Sequence, residues 1–207
     1  MKKSLIIGLV LVSAFTISCR KKDIQPVISL NGHSEQTISL GQTYLENGAV
    51  AMDNKDGDIS EDIAISGSVD NTLAGQYRLF YNVKDSEGNK AATATRFVNV
   101  VNDADYMFGT YEATPTCTGT MTAGIYHTSI TASTKNNNQI FIRRVLHAVD
   151  DEPVVGNIDG NTITIPAQTV GSNTVFGNGS LVSGNFLLYV NVSGAGAYEC
   201  SINHVKL

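Results

Sequence analysis

Between Ala49 and Asn89 the chain reads AVAMDNKDGDISEDIAISGSVDNTLAGQYRLFYNVKDSEGN, short alternating runs separated by acidic turns that contain glycine. The run from Gln76 to Lys84 shows the pattern most clearly. Tyr77, Leu79, Tyr81 and Val83 fall on one face and Gln76, Arg78, Phe80 and Asn82 on the other, the period of two expected of a half-buried strand. Beyond the apolar segment at the start of the chain, no window sustains a helical apolar period. Charged residues make up only 16% of the chain and glycine reaches 19 residues, a balance that favours strands and turns. The expectation is an all-β fold.

Six such runs are predicted in residues 26–101: Val27–Leu30, Gln36–Leu40, Ala49–Met52, Asp62–Val69 with Ile63 and Ile65 on one face, Gln76–Lys84 and Ala91–Val101. Turns at this spacing belong to a small β-sandwich. Asn102-Asp103-Ala104-Asp105 is a short polar junction and marks a domain boundary. Residues 105–207 continue as about eight short strands, from Tyr106–Cys117 to Tyr198–Lys206. Near-neighbour turns make this a second antiparallel β-domain, a meander or a small barrel. Asp159-Gly160 is its best hairpin signal, and Pro166 reads as a strand end or an edge. Cys117 and Cys200, on the first and last of these strands, read as a disulfide in an exported protein. Such a bond favours closure of the sheet.

The chain opens with Met1-Lys2-Lys3 and an apolar stretch from Leu5 to Ile17, too short to span a bilayer comfortably. It ends Thr16-Ile17-Ser18-Cys19, which resembles the lipobox of bacterial lipoproteins, with Thr16 where an aliphatic residue is usual. The resemblance implies a signal peptide over residues 1–18, acylation of Cys19, and a tether over residues 19–25. Loss of Lys2 and Lys3 would take 14 basic residues to 12 against 19 acidic ones, a net charge of −7. That charge argues against a nucleic-acid partner. Arg20 is not the aspartate that marks inner-membrane retention in lipoproteins, so the resemblance implies the outer membrane or cell surface.

Further on, PVISLNG, the Gly41 to Tyr44 GxxY, GAVAMDNKDGDI, AGQY and YNVKDSEGNKAATATRFVNVV resemble the bacterial Ig-like domain of pesticidal crystal proteins. The resemblance covers residues 26–101 and implies a spacer or adhesion-type sandwich with no catalytic residues. Residues 105–207, especially GNTITIPAQT from Gly160 to Thr169, look like the lipocalin-like barrels of bacterial surface lipoproteins.

Among side chains that carry chemistry, the acidic turns stand out. Asp53, Asp56 and Asp58 crowd one loop, and carboxylates on a bent loop suit Ca²⁺, although Lys55 and the missing terminal Glu exclude an EF-hand. Strand parity puts this loop and the Asp85–Asn89 turn at the same end of the sandwich, so that Asp85 approaches Asp53 or Asp56. The same residue types are also what turns require for capping backbone amides. His33, His127, His147 and His204 have no metal-ligand spacing, and no serine sits in a nucleophile motif. Tyr106, Phe108, Tyr111, Tyr126 and Tyr189 are candidates for a sugar-stacking platform or for strand packing. The expected function is that of a non-catalytic, lipid-anchored surface protein with an Ig-like spacer presenting a C-terminal β-domain to a protein or glycan. Apart from Ca²⁺, no cofactor is expected. The alternatives are an accessory glycan-binding lipoprotein of a nutrient-uptake system, or an enzyme whose site only the fold reveals.

Overall fold

The computed structural model describes residues 22–119, 124–145, 152–194 and 197–207. The signal segment, Cys19 and His147 lie outside the described residues.

Seven strands build the first domain: β1 (Val27–Leu30), β2 (Glu35–Ser39), β3 (Ala49–Asp53), β4 (Gly57–Asp58), β5 (Ala64–Ser66), β6 (Gly75–Asn82) and β7 (Ala94–Val101). They form two sheets, β1-β3-β4 and β2-β7-β6-β5. β2 runs parallel to β7. The alternation of β6 is confirmed, with Leu79, Tyr81 and Val83 buried and Phe80 exposed. The strand expected from Asp62 to Val69 shrinks to the three exposed residues of β5. Ser60–Asp62 forms a 3-10 turn instead, and Ile65 points outward.

Arg96 holds the two sheets together. It is fully buried on β7, on the same inward parity as Val98 and Val100. Its guanidinium donates to Glu46 Oε1 and the Tyr81 hydroxyl, both at 3.1 Å, and to the carbonyls of Asn31 (2.9 Å), Gly48 (3.0 Å) and His33.

The second domain is a closed barrel in which each strand pairs with its sequence neighbour and β15 returns to β8. Its strands are β8 (Gly109–Cys117), β9 (Tyr126–Ala132), β10 (Gln139–Arg143), β11 (Val154–Asp159), β12 (Thr162–Val170), β13 (Asn173–Val182), β14 (Asn185–Ser193) and β15 (Tyr198–Lys206). Eight strands leave an interior that side chains can fill. Tyr111, Ile130, Ile140, Ile163, Phe186, Leu188 and Ile202 form part of its buried core. Gly177 and Gly179 let β13 bend against β14, since a Cβ on either would sit 2.2 Å from a carbonyl oxygen of that strand. Pro166 does not end a strand. β12 runs through it, with a register shift between Ile165 and Gln168, the bulge that accommodates a residue without an N–H. Cys117 and Cys200 face each other across the β8–β15 pair and are disulfide-bonded.

The barrel interior holds a histidine. His204 on β15 is fully buried, stacks on Phe186 at 4.0 Å, and has an Nε2 without a hydrogen-bond partner. Burial pushes its pKa down from 6.5 to about 4. The unfolded chain therefore binds a proton that the barrel excludes. The barrel's stability is complete above pH 6.5 and falls as pH drops toward 4, by about 3 kcal/mol at most. The melting temperature of the barrel should fall across this window, and His204→Phe should flatten that dependence.

The junction is packed rather than open. Asn102 is buried. Its amide nitrogen donates to the carbonyls of Ser133 (2.8 Å), Asn136 (2.9 Å) and Gln139 (3.1 Å). Its Oδ1 accepts from the backbone N–H groups of Ala104 and Asn138, both at 2.9 Å. Asp103 exchanges two hydrogen bonds with Asn137 and accepts one from Ser39. The Ala74 amide, just before β6, donates to the Thr134 carbonyl at 2.8 Å. The β9–β10 turn of the barrel thus grips the end of the Ig-like sandwich.

Candidate metal centre

Alternation decides which acids enter the site. On β3, Ala51 and Asp53 are both buried. On the run continuing β6, Leu79, Tyr81, Val83 and Asp85 are all buried. Each inward series of side chains therefore ends in a carboxylate, above the apolar cluster of Ala51, Ile59 and Val83. One oxygen each from Asp23, Asp53 and Asp85 lies within 4.8 Å of the others.

Local turns orient the two core acids. Asp53 Oδ1 accepts from the amides of Lys55 (2.7 Å) and Asp56 (2.9 Å). Asp85 Oδ1 accepts from the amides of Glu87 (3.0 Å) and Asn89 (2.8 Å), and its Oδ2 from Asn89 Nδ2 at 2.8 Å. The amides of Asp56 and Lys55 hold the Asp53 carboxyl below the usual carboxylate range. Burial, and then the adjacent Glu87 carboxyl, push Asp23 up.

The expected ligand set changes in membership. Asp53 and Asp85 meet, as strand parity predicts. Asp56 stays outside the cluster, because its carboxylate accepts from the Ser86 amide (2.7 Å) and hydroxyl (2.9 Å) and so ties the two acidic turns together. Asp58 is turned away as well, accepting the Ser60 amide at 3.0 Å at the start of the 3-10 turn. The third acid is Asp23, from the segment read as tether. That segment is docked: Asn54 accepts from the Ile24 amide (3.1 Å) and donates to the Lys22 carbonyl (2.9 Å), while Asn89 donates to Asp23 (2.8 Å). Lys55 Nζ lies 2.9 Å from Glu87 and 3.7 Å from Asp23. Asp23 sits far from Asp53 and Asp85 in sequence, and no local spacing reveals it.

The aromatic candidates separate. Tyr111 and Tyr126 are buried, whereas Tyr106, Phe108 and Tyr189 are exposed. His204 lies inside the barrel, and His33 and His127 are exposed at the surface. Outside the barrel, Thr116, Thr118, Tyr189, Asn191, Glu199 and Ser201 line a groove of about 210 Å³. A neighbouring groove of about 380 Å³ shares Thr118, Asn191 and Glu199 and adds Phe176.

No curated protein matches the chain at a significant level. Among solved structures, the crystal structure of the lipoprotein BT2262 from Bacteroides thetaiotaomicron is similar at 22% identity and a TM-score of 0.38, over 88% of this chain and 100% of that one. A structure of CBM51-2 in complex with GlcNAc and INT domains, from Clostridium perfringens ZmpB, is similar at 13% identity and a TM-score of 0.32. That similarity covers 86% of this chain and 43% of the other. The family model described as "Bacterial surface protein, Ig-like domain" matches residues 28–100. Those residues are an Ig-like domain of the bacterial surface-protein type, and a closed eight-stranded barrel follows them.

Proposed function

We propose that the chain is a non-catalytic, lipid-anchored cell-surface protein whose Ig-like domain holds the barrel away from the membrane and presents it to a partner. The observation that carries this reading is the placement of two contacts on β6. Ala74, just before it, bonds to the barrel, and Asp85, beyond its other end, belongs to the pole where residues 22–24 dock. The eleven steps between them span roughly 36 Å of extended chain. Cys19 precedes Asp23 by four residues, at most about 14 Å of chain. An anchor there would sit at one end of the sandwich and the barrel at the other.

Metabolic labelling with a fatty acid tests the anchor. Wild-type chain should carry label and fractionate with membranes, and Cys19→Ser should lose both properties. A barrel epitope should be digested when intact cells are treated with protease. An unlabelled, soluble wild-type chain would overturn the proposal.

The paired grooves on the barrel wall support a second reading, recognition of a glycan. Phe176 and Tyr189 are exposed at 41% and 51% and offer faces for the apolar side of a sugar ring. Asn191, Glu199 and Thr118 between them supply hydrogen-bonding groups. Binding on a glycan array that survives in Tyr106→Ala and disappears in Tyr189→Ala would support this reading, and binding unaffected by Tyr189→Ala would reject it.

A further inference from the structure

Two oxygens of the acidic cluster, Asp23 Oδ1 and Asp53 Oδ2, are buried and receive no hydrogen bond. Asp53 as a whole is 8% exposed. A carboxylate oxygen held out of water without a donor is costly unless a cation reaches it. The ammonium of Lys55 neutralises the rim, where it sits 2.9 Å from Glu87 and 3.7 Å from Asp23, and leaves both inner oxygens without a hydrogen bond. Among the described residues, Asp23, Asp53, Asp85 and Glu87 therefore share one ammonium in ion-pair reach, an excess of negative charge that a divalent ion relieves.

We propose that Asp23, Asp53 and Asp85 bind a calcium ion that fastens the segment following Cys19 to the pole of the Ig-like domain. The donors are all carboxylate oxygens, the ligands of a hard cation. Their mutual separations, all within 4.8 Å, stay inside the width of a calcium shell, about 4.6–5.2 Å for oxygens at 2.3–2.6 Å from the ion. Asp53 and Asp85 are set by core strands and by two turn amides each, so they form a prepared half-site. Asp23 is held by hydrogen bonds of residues 22–24 to Asn54 and Asn89 and by the Lys55 ammonium at 3.7 Å, with no core strand behind it. The ion closes the site by holding Asp23 in place. Its significance for the membrane rests on the anchor reading above; the binding itself does not.

The test uses the full chain, purified in detergent, stripped with EDTA and titrated with CaCl₂ in a calorimeter. One ion should bind per chain, and millimolar calcium should raise the melting temperature of the Ig-like domain by about a few degrees. Trypsin should cut after Lys22 roughly several-fold more slowly once the ion holds Asp23. Asp53→Asn keeps its shape and the acceptor for two turn amides, and should weaken binding roughly tenfold or more. Asp58→Asn should respond as wild type. Absence of binding heat, or an Asp53→Asn variant that binds like wild type, overturns the site. Binding without tryptic protection overturns the fastening role. The mass of the same sample reports acylation independently: an unacylated chain that binds calcium refutes the anchor and leaves the site standing.

Discussion

Replacing Asn102 with Asp is expected to free the barrel from the Ig-like domain and to lower the stability of the joint by about 2–6 kcal/mol. The amide nitrogen of Asn102 faces the carbonyls of Ser133, Asn136 and Gln139 at 2.8–3.1 Å. A carboxylate there presents a charged acceptor to three acceptors; the Gln139 carbonyl keeps the Ser133 amide at 2.8 Å, and the carbonyls of Ser133 and Asn136, which lose this donor, cost about 1–3 kcal/mol each. The other oxygen keeps the amides of Ala104 and Asn138, so the change isolates the donor side of the contact. Small-angle scattering should show a broader distribution of interdomain distances, and the barrel's melting transition should shift down. Asn102→Ala adds no charge but removes the donor together with the acceptor of the Ala104 and Asn138 amides, and should weaken the joint as well. Unchanged scattering and melting in Asn102→Asp would mean that the contacts of Ser39 and Ala74 suffice to hold the joint.

The role of Asn102 grows out of a pattern the sequence already carries. Arg96, Val98, Val100 and Asn102 share one parity, and all four are buried. Alternation read only for apolar residues stops at Val100 and assigns residues 102–105 to a polar junction. Continued two residues further, it places a polar side chain on the inward face, where it must find partners. The partners, on the β9–β10 turn more than thirty residues away, belong to tertiary structure. Asn136-Asn137-Asn138 is legible as a turn, but not as the socket for Asn102. Elsewhere the barrel strands are legible because each pairs with its neighbour and nearly every pairing is local. Pro166 misleads for a related reason: proline forbids a ladder hydrogen bond, and the chain meets that by a bulge as readily as by an end.

The acidic pole is half legible. Parity brings Asp53 and Asp85 to the same end, and both are buried there. Crowding on the loop also recommends Asp56 and Asp58, which instead accept from the amides and hydroxyls of Ser86 and Ser60. For Asp58, two residues from Ser60, proximity in sequence favours local capping over shared coordination, whereas Asp56 reaches across to Ser86 on the other acidic turn. Asp23 is hidden in a stretch whose composition reads as tether, and contacts distant in sequence, the hydrogen bonds of residues 22–24 to Asn54 and Asn89 and the Lys55 ammonium, set it in place.

Arg96→Met should unfold the Ig-like domain most readily, with a loss of about 3–5 kcal/mol. For a domain of this size such a loss lowers the melting temperature by roughly 10 °C or more. Methionine keeps the aliphatic stem packed but supplies no donors. The carbonyls of Asn31, His33 and Gly48, from the chain segments around β1 and β3, then lose the guanidinium that gathers them. Glu46 loses its cation but keeps the Gly48 amide at 2.7 Å. Removing Glu46 as well should not restore stability, because the three carbonyls remain without the guanidinium. This separates Arg96 from an ordinary buried ion pair, whose joint replacement by apolar groups is often neutral. Arg96→Lys should recover only part of the loss, since one ammonium lacks the planar fork that reaches Glu46, Tyr81 and three carbonyls together. Denaturant melts that resolve the two domains provide the measurement. The Ig-like transition should move while the barrel transition stays in place, since the hydrogen bonds of Arg96 all go to the Ig-like domain. An Arg96→Met variant within about 1 kcal/mol of wild type would mean that water or relaxed backbone satisfies those carbonyls, and that apolar packing alone holds the two sheets together.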